Sequence, residues 1–233
     1  MKNNTDATAN LSETLIGEIL FFGLLGKALY EKPDRQWLEA LIADHVFAEA
    51  PFGAEQPEIA HGLQILQQWS LAQTDGIVDE HFSDLKMDYT RLFIGLDTLI
   101  TAPWESVYYN RERMVFQEQT IQVRNWYARF GLQVEQYNRE PDDHIGLEMS
   151  FVAHLASLAL QALEADDQTT LKELMQAQRD FLAEHPLCWA PTWAKRVKER
   201  ATTDFYRGMA HLSHGALLAA ADVLQVPLPK VAT

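Results

Sequence analysis

Two short patterns in the sequence place metal-binding residue types at helical spacing. Asp143 and His144 are adjacent, and Glu148 follows His144 by four residues. Positions four apart are neighbours on one face of a helix, so an imidazole and a carboxylate placed there can share an ion. His211 and His214 form a second pair, three residues apart. Either pair needs further ligands that the sequence does not identify, and histidines at helix ends or on the surface are the simpler interpretation.

Other chemical signatures are absent from the sequence. It has no phosphate-binding G-x-x-x-x-G-K-[ST] or G-x-G-x-x-G loop, no G-x-S-x-G elbow and no H-E-x-x-H motif. Its single cysteine, Cys188, excludes a thiolate zinc site and an internal disulfide. Cys188 lies among apolar residues, which predicts a buried and unreactive thiol. We therefore expect no metal and no other cofactor. A metal-dependent helical enzyme that uses Asp143, His144 and Glu148 is the alternative hypothesis.

The amino-acid composition limits the binding partners and the cellular location that we expect for this protein. The chain has 233 residues, 47% of them hydrophobic, and a formal net charge of −14, which is typical of a globular acidic protein. Nucleic acid and anionic membranes are unsuitable partners because both require basic residues. The excess of acids serves either solubility alone or a basic partner. The polar first ten residues and the short apolar runs predict no secretory signal and no stable membrane insertion, so we expect a cytoplasmic protein.

Helical periodicity dominates the chain and predicts an all-α fold. The first helix carries an apolar stripe at three- and four-residue steps from Leu15 to Leu29 and ends before Pro33. No segment alternates like a strand, and no internal repeat is present. Further helices are predicted at about 34–46, 58–73, 78–95, 112–130, 142–165, 169–184, 190–200 and 204–224.

Two of the connections between these helices are distinctive. Residues 95–110 lack a helical period yet carry several aromatic residues, and a long loop of this kind is typical of a functional segment. The second connection, 134–141, ends in Pro141 and is a candidate hinge. We expect a flexible extension at 1–10, followed by a single all-helical domain at 11–233 with lobes at about 11–133 and 142–233.

The sequence around the second connection contains three consecutive polar residues. Pro141 suits the first turn of a helix, and Asp142 and Asp143 complement the helix dipole there. His144 begins the inward stripe of the predicted helix, beside acids. A buried, hydrogen-bonded histidine is the ordinary interpretation of that position.

Four motifs in this order resemble the TorD/DmsD family of cytoplasmic chaperones. Glu140–Leu155 begins with the E-P-x-D-H signature of that family. Tyr89–Gly95 resembles its aromatic-x-R-L-F-x-G segment, and Ala102–Tyr108 resembles its proline–aromatic loop, especially that of the dimethyl-sulfoxide reductase chaperone. His185–Pro191 is similar to its later H-x-x-x-W-x-P element.

This resemblance implies a function without catalysis. Family members bind the twin-arginine signal peptide of a molybdopterin oxidoreductase and hold the apoenzyme until its cofactor is inserted, before export. Some members exchange their C-terminal helices, so a monomer and a domain-swapped homodimer are both expected. A signal of this kind has a basic head and an apolar stretch, which match an acidic receptor with an apolar groove. By resemblance, the peptide site includes Tyr30, Tyr89, Trp104, Tyr108, Asp142, Asp143 and His144.

Overall fold

A computed structural model describes residues 2–73, 75–95, 99–134 and 140–229, with side chains from residue 8 onward. Within these ranges the backbone forms α-helices, a π-helical turn at Thr90–Ile94, a 3-10 turn at Glu105–Tyr108 and no strand. The all-α prediction is confirmed. The helices are α1 (Lys2–Tyr30), α2 (Arg35–Ala43), α3 (Pro57–Leu71), α4 (Asp79–Tyr89), α5 (Glu118–Arg129), α6 (Ile145–Glu164), α7 (Gln168–Glu184), α8 (Pro186–Arg200) and α9 (Asp204–Val223).

The predicted start of α5 near residue 112 is wrong. The helix begins at Glu118 because Arg113 and Phe116 adopt positive φ values of 54° and 58°, a left-handed conformation that a right-handed helix excludes. Asn110 stabilises this turn, since its side chain accepts from the Met114 backbone N–H and donates to the Met114 carbonyl.

The predicted starts of α6 and α8 also shift, and in each case a residue at the helix end explains the shift. His144 is extended and caps α6, so the helix begins at Ile145 and the two aspartates before it lie outside the first turn. Pro186 occupies the first position of α8, four residues earlier than predicted. Proline is favoured there because its missing N–H would be unsatisfied in any case.

Long helices from both predicted lobes form one apolar core. α1 packs along α6, and α3 packs along α9. The largest buried cluster joins Phe22 of α1 and Leu66 of α3 to Val152 of α6 and Met209 of α9. The predicted hinge at 134–141 includes residues 135–139, which lie outside the described residues. The lobe boundaries and the flexibility of residues 1–10 stay predictions, although α1 includes all of 2–10.

Two glycines set the distance between α1 and α6. A Cβ atom added to Gly146 would lie 2.7 Å from the Tyr30 Cβ and 2.8 Å from the Gly26 carbonyl oxygen. A Cβ added to Gly26 would lie 2.9 Å from the Gly146 carbonyl oxygen. Larger residues would separate the helices, because nonbonded atoms do not approach this closely. The crossing brings Tyr30, at the end of α1, against the start of α6.

Within the described residues, two helical stretches are long and apolar enough to cross a membrane. They are Thr8–Tyr30 and Ile145–Glu164, and 39% and 56% of their most apolar windows are buried inside the fold. The core helix of a globular protein can be equally long and apolar. The expected absence of membrane insertion stays a prediction.

Candidate functional site

The proline–aromatic loop packs directly against the start of α6. The Glu105 N–H donates to the Asp143 carbonyl at 2.9 Å, and the Ile145 N–H donates to the Pro103 carbonyl at 2.7 Å. These two bonds form an isolated antiparallel bridge between Trp104 and His144. Two segments that are about 40 residues apart in sequence therefore become neighbours, and the bridge positions the Trp104 side chain beside the helix cap.

His144 is a neutral, buried cap. Its Nδ1 accepts from the Gly146 N–H at 3.0 Å, so the ring proton is on Nε2. Burial lowers the pKa of His144 to about 3, because a charged imidazole loses its hydration there. Its ring lies edge-on to the Tyr30 ring at 5.2 Å and to the Trp104 ring at 6.1 Å, measured between centroids.

Tyr89 joins the same group of side chains from the end of α4. Its hydroxyl donates to the Tyr30 carbonyl at 2.7 Å. Burial raises the pKa of Tyr89, and the nearby Glu140, Tyr30 and Glu31 side chains raise it further. The structure therefore brings together four of the seven predicted peptide-binding residues. We call this group the aromatic corner: Tyr30, Tyr89, Trp104 and His144.

Two carboxylates that the sequence analysis did not assign border the aromatic corner. Glu140 is half-buried and accepts from the Trp104 Nε1–H at 2.7 Å. Burial raises the pKa of Glu140, and the Trp104 hydrogen bond offsets part of that rise. Glu31 is exposed, with its Oε2 3.7 Å from the Lys27 ammonium. Glu140 belongs to a recognised motif, whereas Glu31 is marked in the sequence only as the neighbour of Tyr30.

An apolar cavity of about 360 Å³ opens beside the aromatic corner. Tyr30 and Glu31 line one side, so the cavity adjoins one of the two bordering carboxylates. The remaining lining comes from α5, α6 and the segment after α5, and it is mostly apolar: Tyr127, Leu132, Val134, Leu147 and Phe151, with Gln133 and Ser150 as the polar members.

Asp142 and Asp143 are buried and bound to internal partners. Asp143 accepts from the Ser106 N–H and from the Thr120 hydroxyl, each at 2.7 Å. Asp142 forms an ion pair with Arg124 at 2.7 Å. These carboxylates hold the proline–aromatic loop and α5 against the start of α6. Their predicted role in peptide binding stays a prediction.

Tyr108 lies apart from the aromatic corner. Its hydroxyl donates to the Ala102 carbonyl at 3.0 Å, and its ring is 5.1 Å from the Trp189 ring, measured between centroids. It faces a larger cavity that Cys188 also lines. The prediction of a buried Cys188 thiol is wrong, because the first turn of α8 exposes this residue at the cavity.

The three residues of the metal hypothesis have separate partners. Asp143 and His144 are bonded as described, while Glu148 accepts from the Trp189 Nε1–H at 3.1 Å. Burial raises the pKa of Glu148 well above its usual range, and the nearby Glu105 and Asp143 carboxylates raise it further. In the described part of the chain, no three His, Cys, Asp or Glu side chains are arranged to hold a metal ion.

The second histidine pair acquires an acidic partner from α3. His211 Nδ1 is 2.6 Å from Glu58 Oε2, and His214 Nδ1 is 3.4 Å from Glu58 Oε1. Lys198 also pairs with Glu58, at 3.0 Å. Helical spacing could not reveal Glu58, which lies on another helix. The cluster connects α3, α8 and α9.

Comparisons with known proteins agree with the motifs. A family model described as nitrate reductase delta subunit matches residues 55–195. The chaperone protein TorD of Vibrio cholerae is 31% identical over 130 residues, which cover 56% of this chain and 57% of that protein. The Tat proofreading chaperone DmsD of Salmonella typhi is 27% identical over 195 residues, which cover 82% of each chain.

A solved structure of a redox enzyme maturation protein from Archaeoglobus fulgidus is also similar. It is 20% identical, has a TM-score of 0.45, and the match covers 83% of this chain and 88% of that one. The TorD and DmsD relatives are named as chaperones, in agreement with the expected class of protein and with the expectation of no catalytic activity. The family model matches more than half of the chain, and the chain therefore belongs to the TorD/DmsD chaperone family that its four motifs resemble.

Proposed function

We propose that this protein is a maturation chaperone that binds the twin-arginine signal peptide of a molybdopterin oxidoreductase at the aromatic corner. The complex holds the apoenzyme in the cytoplasm until its cofactor is inserted and so delays export. The names of the TorD and DmsD relatives support this class of function. The arrangement that carries the proposal is an acidic border directly beside an apolar cavity.

Glu140 and Glu31 are the carboxylates that we assign to the paired arginines. A guanidinium group presents several N–H donors in a planar fork that matches a carboxylate. Glu140 is half-buried, and its pKa is raised by burial, so an arriving cation would stabilise its charged form. Glu31 is more exposed and adds a weaker, screened attraction.

The apolar cavity suits the hydrophobic stretch of the same signal. Its walls come from Tyr30, Leu147 and Phe151 among others, and its volume of about 360 Å³ accommodates a few apolar side chains. Burial of those side chains contributes affinity that salt does not screen. The peptide would therefore bind through two separable contributions, an ionic one at the border and an apolar one in the cavity.

A peptide-side titration tests this proposal. A fluorescent signal peptide is compared with versions in which both arginines are lysine or both are glutamine, and with one in which an apolar leucine is aspartate. We expect the glutamine version to bind roughly ten- to a hundredfold more weakly at low salt, because charge-assisted contacts are lost. The lysine version should lie between the two.

Salt separates the two contributions. Exposed charge pairs are screened over about 8 Å at physiological ionic strength, so the native peptide should lose affinity as salt rises while the glutamine version changes little. Equal affinity of the native and glutamine peptides at low salt would contradict the proposal. An unchanged affinity of the aspartate version would contradict the role of the apolar cavity.

A further inference from the structure

One large cavity in this acidic protein is lined by arginines. It has a volume of about 770 Å³ and lies between α8 and the loop after the proline–aromatic segment. Arg113, Arg196 and Arg200 line it together with Tyr108, Tyr109 and Trp189. We call it the arginine cavity. It differs from the apolar cavity beside the aromatic corner in its lining residues and in the sign of its charge.

The three guanidinium groups have no ion-pair partner within the ranges that the structure describes. Four other arginines, Arg35, Arg91, Arg124 and Arg207, do pair with an aspartate. In the arginine cavity, Arg196 lies 5.0 Å above the Tyr108 ring, and Arg113 contacts the Leu99 carbonyl at 3.4 Å. Glu199 also lines the cavity but forms no ion pair with them. Within the described residues, a chain with a net charge of −14 thus places three arginines without an ion pair around one cavity.

The position of Arg113 depends on a constrained turn. Its φ of 54° is left-handed, a conformation that a side chain with a Cβ adopts only when its surroundings impose it. Asn110 imposes it through bonds to Met114 on the far side of Arg113 and through a third bond to the Ser106 carbonyl. Strained backbone of this kind is concentrated at binding sites.

Large apolar side chains on the same loop are exposed near the cavity. Tyr109 is 51% exposed, Met114 is 49% exposed and Phe116 is 43% exposed. Arginine, tyrosine and methionine are enriched where proteins bind one another. Adjacent exposed apolar residues are typical of an interaction surface. A small anion would occupy the guanidinium groups and leave these apolar side chains in water.

We propose that the arginine cavity binds an acidic polypeptide segment, in which two or more carboxylates lie beside an aromatic or aliphatic side chain. The carboxylates pair with Arg196, Arg200 and Arg113, and the apolar side chain packs against the exposed part of the loop. The net negative charge of this protein disfavours non-specific binding of such a segment. The cavity therefore determines both the place and the orientation of binding. This proposal does not depend on the signal-peptide site.

Binding of a defined probe to the full chain tests the proposal, without any signal peptide present. The probe is a synthetic fluorescent peptide with three glutamate or aspartate residues around one phenylalanine. Its matched control carries glutamine or asparagine at the acidic positions. We expect the acidic peptide to bind at least tenfold more tightly at low salt, because the amide version lacks charge-assisted bonds.

Three variants locate the binding. Arg196→Gln and Arg200→Gln should each weaken the acidic peptide on the order of tenfold. Lys195→Gln is the matched control, since Lys195 precedes Arg196 on α8, is exposed and does not line the cavity. It should change the affinity less than twofold. Thermal melting checks that all three variants remain folded, as expected for exposed residues.

Several outcomes would overturn the proposal. Equal binding of the acidic and amide peptides would remove the role of the carboxylates. Equal losses for Arg196→Gln and Lys195→Gln would indicate general charge attraction and no defined site. Inorganic phosphate or a nucleoside triphosphate that binds with the same dependence on Arg196, while the acidic peptide does not bind, would make the cavity a site for small anions.

Discussion

Acidic residues that are close together in sequence have two different environments in this protein. Asp142 and Asp143 are buried, and each has donors from another segment of the chain. Glu140, two residues before Asp142, is half-buried at the edge of the aromatic corner with Trp104 as its donor. The difference arises because α5 and the proline–aromatic loop cover the aspartates and leave the glutamate accessible. A carboxylate therefore stabilises the fold at positions 142 and 143, whereas the carboxylate of Glu140 remains available to a ligand.

The largest effect should follow from Asp143→Asn. An asparagine can still accept from the Ser106 N–H, while its NH₂ group can donate to the Thr120 hydroxyl, whose own proton then loses its acceptor. We expect a loss of about 2–3 kcal/mol in the free energy of unfolding, because two buried hydrogen bonds to a carboxylate are replaced by weaker neutral ones. Urea denaturation at pH 7 measures it.

A matched variant identifies the cause. Thr120→Val removes one donor and should lose about 1 kcal/mol. The double variant should lose less than the sum of the two single losses, because both act on one interaction. Unfolding of Asp143→Asn at the wild-type urea concentration would contradict the structural role. It would favour the predicted role of Asp143 in binding the signal peptide.

A further acidic residue is buried with a hydrogen-bond donor for only one of its two oxygens. Glu18 on α1 accepts from the Gln178 side chain at 2.7 Å, while its other oxygen and the Gln178 amide oxygen have no partner. Burial raises the pKa of Glu18 to about 7, and the Gln178 hydrogen bond offsets part of that rise. A protonated Glu18 would donate to the free amide oxygen, which satisfies both groups.

The pH dependence follows from the direction of this shift. The pKa of Glu18 is higher in the folded chain than its usual 4.5. The stability that protonated Glu18 contributes to the fold is therefore fully present below about pH 4.5 and is lost as the pH rises through about 7. Glu18→Gln is uncharged at every pH and can form both amide bonds. We expect it to be more stable than wild type by about 3 kcal/mol at pH 8 and equally stable at pH 4.5. Equal stability at pH 8 would show that Glu18 is ionised without cost.

The helical fold was predictable because its signal is local. An apolar stripe from Leu15 to Leu29 and the proline positions located most helices within a few residues. The starts of α5 and α6 were misplaced because a side-chain contact decides them, whereas the start of α8 follows from a local signal, Pro186. Asn110 imposes left-handed residues before α5, and the His144 side chain caps α6. Periodicity carries no information about either contact.

The site was predictable in part. The motifs identified Tyr89, Trp104 and His144, and the structure brings these side chains together. The motifs did not indicate that Tyr108 lies apart from the aromatic corner. It lies in the 3-10 turn and lines the arginine cavity. Glu31 carried no signal in the sequence, because its position beside the aromatic corner follows from the crossing of α1 and α6. The burial of Asp143 could not be read from the sequence either. The residues that bond to it, Ser106 and Thr120, are 37 and 23 positions away.

Affinity for the native signal peptide in three variants tests the central assignment most directly. The double variant Glu31→Gln/Glu140→Gln removes the two carboxylates at the border and preserves the acceptor for Trp104. Asp142→Asn removes one charge only two residues away. Glu173→Gln removes an exposed charge on α7, distant in sequence from the motifs. The account predicts that the double variant binds roughly tenfold more weakly at low salt, while the other two bind within twofold of wild type. Normal binding by the double variant, with loss of binding in a folded Asp142→Asn protein, would contradict it.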